Sequence, residues 1–170
     1  MRIGIDIDDT LVSSSESYDN VVKKYNLNIN KKFNETFTKE EIELVFNNYS
    51  KEILMSAEFK EDAIDVVKYL SSLGHEIFII TARSGRYSSD IPDLTRELIK
   101  EKLNITEIYF NEWKKSDLAK KLKIDLMIDD NIFVYNNMRK ENIDCILFGD
   151  KIKTWMEVLK YIKEKEDNNG

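Results

Sequence analysis

Arg2-Ile3-Gly4-Ile5-Asp6-Ile7-Asp8-Asp9-Thr10 is the stretch that decides how the rest of the chain is read. Ile3, Ile5 and Ile7 alternate, and their β-branched side chains suit a buried strand, predicted over residues 2–7. The run stops at Asp8-Asp9-Thr10, polar residues that favour a turn. Asp6 lies inside the apolar pattern, where an unpartnered carboxylate is costly to bury.

Further along, other apolar runs end in the same way. Ile77-Phe78-Ile79-Ile80 leads into Thr81-Ala82-Arg83-Ser84-Gly85, and Leu126-Met127-Ile128 leads into Asp129-Asp130-Asn131. Such continuous runs are typical of strands covered on both faces. Shorter strands are predicted at 108–110 and 145–148. Helical patterns separate them. Ala63, Val66, Val67 and Leu70 form a stripe stopped by Gly74, and Pro92 suits the first turn of a helix reaching about Leu103. Ser116 is placed to cap a helix ending near Leu122, another helix runs from Asn131 to about Glu141, and Trp155, Val158, Leu159 and Ile162 mark the last. Strands alternating with helices predict an α/β fold, a Rossmann-like three-layer sandwich around a mostly parallel central sheet.

Residues 13–56 interrupt that alternation. They read as helical around a polar loop at 26–34, with capping-box spacing at Ser13/Glu16 and Thr38/Glu41. Ile42, Val45, Phe46, Tyr49, Ile53 and Leu54 share one helical face. The expected organisation is a core of residues 1–12 and 57–165, a helical insertion at 13–56, and a charged tail at 166–170 that frays. The aromatic side chains of the insertion are expected to form its own small core, with one or two free to stack on a base.

With 170 residues, 42 % of them apolar, the chain can bury one ordinary core plus an insertion. Its 26 basic and 32 acidic side chains give a net charge of −6, which excludes an extended nucleic-acid surface but leaves room for a basic pocket around one phosphate. Cys145 is the single cysteine, sits in an apolar stretch, and is expected to be a small buried side chain. No apolar run approaches the roughly 20 residues that span a bilayer, and no signal-peptide pattern follows Met1. A soluble, cytoplasmic protein without a membrane partner is the expectation. His75, the only histidine, follows Gly74 and is expected to be exposed; Trp113, beside Lys114 and Lys115, is expected to pack, the alternative being a wall of the phosphate pocket.

In open parallel sheets, ligands bind at the carboxyl ends of the strands. Those ends deliver Asp6, Asp8, Asp9 and Thr10; then Thr81, Arg83 and Ser84; then Asp129 and Asp130, with Trp113, Lys114 and Lys115 in the turn after the third strand. Converging carboxylates repel one another unless a cation sits among them, and oxygen-only ligands favour a hard ion such as Mg²⁺. The Thr81 hydroxyl, the Ala82–Arg83 backbone or the Arg83 guanidinium, and a lysine ammonium are the donors a phosphate needs. Arg83 has two readings, phosphate ligand or partner of a neighbouring acid. Asp6 and Asp8, two apart in extended backbone, point the same way, so one can attack phosphorus while the other handles a proton.

Asp6-Ile7-Asp8-Asp9-Thr10 resembles the first motif of the haloacid dehalogenase-like superfamily, and Thr81 after its apolar strand resembles the second. Lys115, favoured over Lys114, resembles the third, and Asp129-Asp130 the fourth. The resemblance implies a phosphomonoesterase in which Asp6 forms an aspartyl-phosphate and Asp8 protonates the leaving alcohol, then activates water. It implies Mg²⁺ held by Asp6, the Asp8 carbonyl and Asp130, with Asp129 a direct or indirect ligand. Thr81, Ala82, Arg83 and Lys115 would bind the phosphoryl group. Asp8 argues against carbon–halogen cleavage, which needs no such acid. Many members carry Gly where this chain has Asp9, a less permissive residue for the turn. The insertion is similar to the small cap that follows the first motif. Thr81-Ala82-Arg83-Ser84 with Asp93-Leu94-Thr95 is similar to the cytosolic type C 5'(3')-deoxyribonucleotidases and their bacterial relatives. That implies a nucleoside monophosphate as the small phosphorylated substrate. Sugar phosphates or other small metabolites, a polynucleotide 3'-phosphate, and a non-catalytic phosphate- or Mg²⁺-binding module are the alternatives.

Overall fold

The structure, a computed structural model, describes residues 1–170. Strand β1 (Arg2–Ile5) is followed by three helices, α1 (Ser14–Lys24), α2 (Lys39–Leu44) and α3 (Phe46–Ser56). A regular alternation then sets in: α4 (Ala63–Ser72), β2 (Glu76–Ile80), α5 (Ile91–Lys102), β3 (Glu107–Tyr109), α6 (Lys115–Lys121), β4 (Leu126–Asp129), α7 (Ile132–Lys140), β5 (Asp144–Leu147) and α8 (Trp155–Asn169). The sheet has the order β3-β2-β1-β4-β5, with every neighbouring pair parallel. This is the α/β architecture expected from the alternation. The chain order reverses direction across the sheet at β1, the position where open α/β sheets leave a crevice.

Side-chain alternation divides the core between two faces. Ile3, Ile5, Ile77, Ile79 and Ile128 pack on the face covered by α4, α5 and α8. Phe78, Ile80, Met127 and Cys145 pack on the opposite face, against Ala119 of α6 and Met138 of α7. Gly4 belongs to this second face because a Cβ there would lie 2.7 Å from Met127 Sδ. Trp155 is wholly buried, and its indole N–H donates to the Thr10 carbonyl at 2.9 Å. That bond anchors the turn after β1 to the last helix. Cys145 is buried as expected, and burial pushes its thiol up to about 12, which leaves it unreactive.

The insertion has a core of its own. Tyr18, Val21, Val45 and Ile53 are buried there, with Phe33, Phe37, Phe46 and Tyr49 packed around them. The capping box at Thr38/Glu41 is present, whereas Ser13 makes no side-chain cap bond to α1. The single helical face expected across Ile42–Leu54 is split, because α2 ends at Leu44 and α3 begins at Phe46.

Two placements differ from expectation. His75 is buried, not exposed: the turn after α4 folds it inward, where its Nδ1 lies 2.9 Å from the Met1 amino group. Trp113 does not pack. It is 71 % exposed, because β3 is the edge strand and no element covers the loop that follows it. The last helix continues through the charged tail to Asn169, where fraying is expected. No helix is long and apolar enough to cross a membrane.

Candidate active site

Parallel register brings the acidic strand ends together. Ile5 pairs with Ile128, so the next residues, Asp6 and Asp129, emerge side by side. Asp6, Asp129 and Asp130 each place a carboxylate oxygen within 4.8 Å of the others. Lys115, the first residue of α6, reaches into this group. Its Nζ donates to Asp6 Oδ1 at 2.6 Å and to Asp129 Oδ2 at 2.8 Å. Lys115 is buried, while Lys114, one residue earlier, points outward. The helix start decides between the two lysines.

Asp129 also accepts the Asn131 N–H at 2.9 Å. The Thr10 hydroxyl donates to Asp6 Oδ2 at 3.2 Å and lies 3.3 Å from Asp130 Oδ1. Burial, and then the charge of Asp6, drive both Asp129 and Asp130 above the usual carboxylate range. Burial works against the Lys115 ammonium, yet Asp6 and Asp129 outweigh it and hold the charge in place. Two carboxylates, Asp6 and Asp129, thus share one ammonium while Asp130 lies beside them without a cation of its own, an all-oxygen set with more acids than cations. That donor set fits a hard divalent cation.

Asp8 is separate from this cluster. Its carboxylate accepts from Arg83 Nε at 3.1–3.2 Å and from Nη2 at 2.8 Å, and also from the Ser14 hydroxyl. Burial opposes ionisation of Asp8, but the Arg83 guanidinium overcomes it and holds the carboxyl below its ordinary value. Of the two readings of Arg83, the geometry has the pairing with a neighbouring acid. Its remaining donors go to Thr95 Oγ1 and the Leu54 carbonyl.

Thr81 is wholly buried, and its hydroxyl accepts the Arg83 N–H at 3.1 Å. It does not line the cleft, whereas Ala82 does. The backbone N–H groups of Ile7, Asp8 and Ala82, at the ends of the adjacent strands β1 and β2, donate to nothing within the protein. The Asp8 carbonyl likewise accepts no backbone hydrogen bond. A cleft of about 370 Å³ opens above these groups. Phe33, Phe46, Tyr87 and Trp113 form its apolar wall. Phe46 of α3 stacks on Tyr87 at 5.6 Å between ring centroids, so the insertion closes one side of the cleft.

Asp9 takes φ 59°, the left-handed region that suits glycine. Aspartate is among the few other residues that visit it routinely. Its carboxylate also accepts the Ser15 N–H at 2.8 Å, which secures the start of α1. Asp9→Gly is therefore expected to change stability little, trading a hydrogen bond for relief of backbone strain. Asp9→Ala loses the bond and keeps the strain, at about 2 kcal/mol. Urea denaturation of both variants measures the difference, and equal losses would contradict it.

Sequence reading missed the positions of Thr10 between Asp6 and Asp130 and of Thr95 behind Arg83. Both lie within stretches already singled out, but only packing shows what their hydroxyls touch.

No family model matches the chain, and no curated protein sequence does. Solved structures do. A predicted phosphatase from Clostridium acetobutylicum is similar over 96 % of this chain and 98 % of its own, at 15 % identity and TM-score 0.67. A hydrolase from Streptococcus pneumoniae TIGR4 covers 95 % and 97 %, at 16 % identity and TM-score 0.58. A HAD-superfamily hydrolase from Ehrlichia chaffeensis covers 96 % of each chain, at 13 % identity and TM-score 0.55. With its five parallel strands, its helical insertion after β1 and its acidic strand ends, this chain has the fold of the haloacid dehalogenase-like hydrolases.

Proposed function

We propose that the protein is a Mg²⁺-dependent phosphomonoester hydrolase in which Asp6 is the nucleophile. The observation that carries this reading is the Lys115 ammonium shared by Asp6 and Asp129, with Asp130 beside them at the mouth of one cleft. A buried group of three acids and one lysine is unfavourable as mere packing. It becomes favourable once a divalent cation and a phosphoryl group complete it.

In this reading Asp6, the Asp8 carbonyl and Asp130 hold Mg²⁺, with Asp129 as a direct ligand or acting through one. The ion would offset the charge of the transferring phosphoryl group. An Asp6 oxygen bonds to phosphorus as the bond to the leaving oxygen breaks, its electron pair staying on that oxygen. Asp8, whose carboxyl Arg83 holds below its ordinary value in the free site, would take up a proton as the negatively charged phosphate binds beside it and pass that proton to the leaving oxygen. Water then bonds to phosphorus and gives its proton to Asp8, while the bond to Asp6 breaks and releases inorganic phosphate. The unpaired N–H groups of Ile7, Asp8 and Ala82 are donors for the phosphoryl oxygens, and Lys115 adds a charge. Thr81 supports this turn through its bond with the Arg83 backbone instead of reaching the cleft.

The substrate class we infer is a (deoxy)nucleoside 5'-monophosphate. The aromatic wall of Phe33, Phe46, Tyr87 and Trp113 supports it, since planar rings favour a planar base over a sugar alone. Hydrolysis of an aryl phosphate should require Mg²⁺ and stop on chelation with EDTA. Across a panel of phosphomonoesters, nucleoside monophosphates should exceed sugar phosphates; equal rates would remove the nucleotide assignment. Asp8→Asn should lower kcat by 10²-fold or more, on the order expected of a general acid–base group, with KM little changed.

A further inference from the structure

We propose that Arg83 is a positioning residue that ties the Asp8 carboxylate to the inserted helix α3, so that seating the helix and aiming the carboxylate are a single event. The proposal rests on the hydrolytic reading above. Arg83 has its side chain 2 % exposed and stands where three elements meet. Nε and Nη2 grip Asp8 at the end of β1. Nη2 also donates to the Leu54 carbonyl of α3 at 3.2 Å, and Nη1 donates to Thr95 Oγ1 of α5 at 3.1 Å.

The contact with Leu54 has a physical logic. Leu54 lies in the last turn of α3, among the carbonyls that have no donor within their own helix. The guanidinium satisfies one of them and meets the negative end of the helix. Ser17 of α1 satisfies the neighbouring Ile53 carbonyl at 2.6 Å. Thr95 is wholly buried and also approaches Met55 Sδ of α3, at 3.9 Å. A planar fork held at Asp8, Leu54 and Thr95 cannot turn at one point without releasing another. If α3 lifts, Arg83 loses a partner and Asp8 loses its fixed orientation.

An arginine that only neutralised a buried acid would be indifferent to Thr95. Thr95→Val therefore tests the proposal, because it preserves shape and removes one bond far from the reacting atoms. The first-turnover release of alcohol from an alkyl phosphomonoester should fall about tenfold, the loss expected from one hydrogen bond to a charged group, with KM within twofold. The loss should be smaller on p-nitrophenyl phosphate, whose leaving group needs no proton. Arg83→Lys should retain more activity than Arg83→Met. Unchanged rates, equal losses on both substrates, or a raised KM at constant kcat would each overturn the proposal.

Amide hydrogen exchange of residues 46–56 provides a second measurement that needs no turnover. Exchange there should quicken severalfold in Thr95→Val and further in Arg83→Met. A wild-type chain inert toward every phosphomonoester sinks the hydrolytic reading, while unchanged exchange of α3 in these variants sinks the tether.

Discussion

Asp6→Asn is expected to abolish turnover, lowering kcat by about 10⁴-fold or more, the scale on which removal of a covalent nucleophile acts. The loss is chemical and not one of folding. Asn keeps the shape of the side chain and an oxygen for the Lys115 ammonium, now 2.6 Å from Oδ1, while its NH2 takes the place of Oδ2 and can donate to the Thr10 hydroxyl, now at 3.2 Å. It lacks the charge needed to attack phosphorus. Removing one of three crowded carboxylates also relieves repulsion, so the metal-free variant should be folded and no less stable than the parent chain. Rapid quenching should trap an acid-stable, base-labile phosphoryl group on the parent chain and none on the variant. Activity within about tenfold of the parent would remove Asp6 from the proposed role, whatever the metal dependence.

Lys115→Met should have the largest effect on stability. It leaves Asp6, Asp129 and Asp130 without the ammonium that bridges the first two, in a region where Lys115 and Asp129 are 6 % and 1 % exposed. Breaking a buried ion pair from one side costs about 3–5 kcal/mol. For a chain of this length that is a fall in melting temperature on the order of 10 °C. The loss should be greatest in EDTA and largely recovered in Mg²⁺, because a cation held by the same oxygens replaces the missing charge. Lys114→Met is the control: that side chain is exposed, and its replacement should move stability by no more than about 0.5 kcal/mol. Thermal melts of both variants, with and without Mg²⁺, decide the matter. A Lys115→Met protein that melts with the parent chain in EDTA would show that the bridge does not hold the acids together.

The sheet and the acidic strand ends were legible in the chain because their signals are local. Alternating Ile3, Ile5 and Ile7 before Asp8-Asp9, and an apolar run before Asp129-Asp130, each describe a strand and its end within a few residues. The capping box at Thr38/Glu41 was equally local. What stayed hidden depends on partners distant in sequence. Arg83 had two readings, and the choice lay with Asp8, 75 residues away. Lys115 was separated from Lys114 only by where α6 begins and which face of its first turn meets Asp6. His75 was misjudged because the turn it occupies folds it against the Met1 amino group and the final helix, partners that are distant in the chain.

The amino-acid order alone determined the α/β alternation, the helical insertion after the first strand and the set of acids and cations at the strand ends, since each follows from spacing within a short window. The tertiary structure decided which cation answers which acid: Lys115 for Asp6 and Asp129, Arg83 for Asp8. The reason is that parallel strands join residues through crossovers of many residues, and charge pairing acts over a few ångströms of space, however long the chain between.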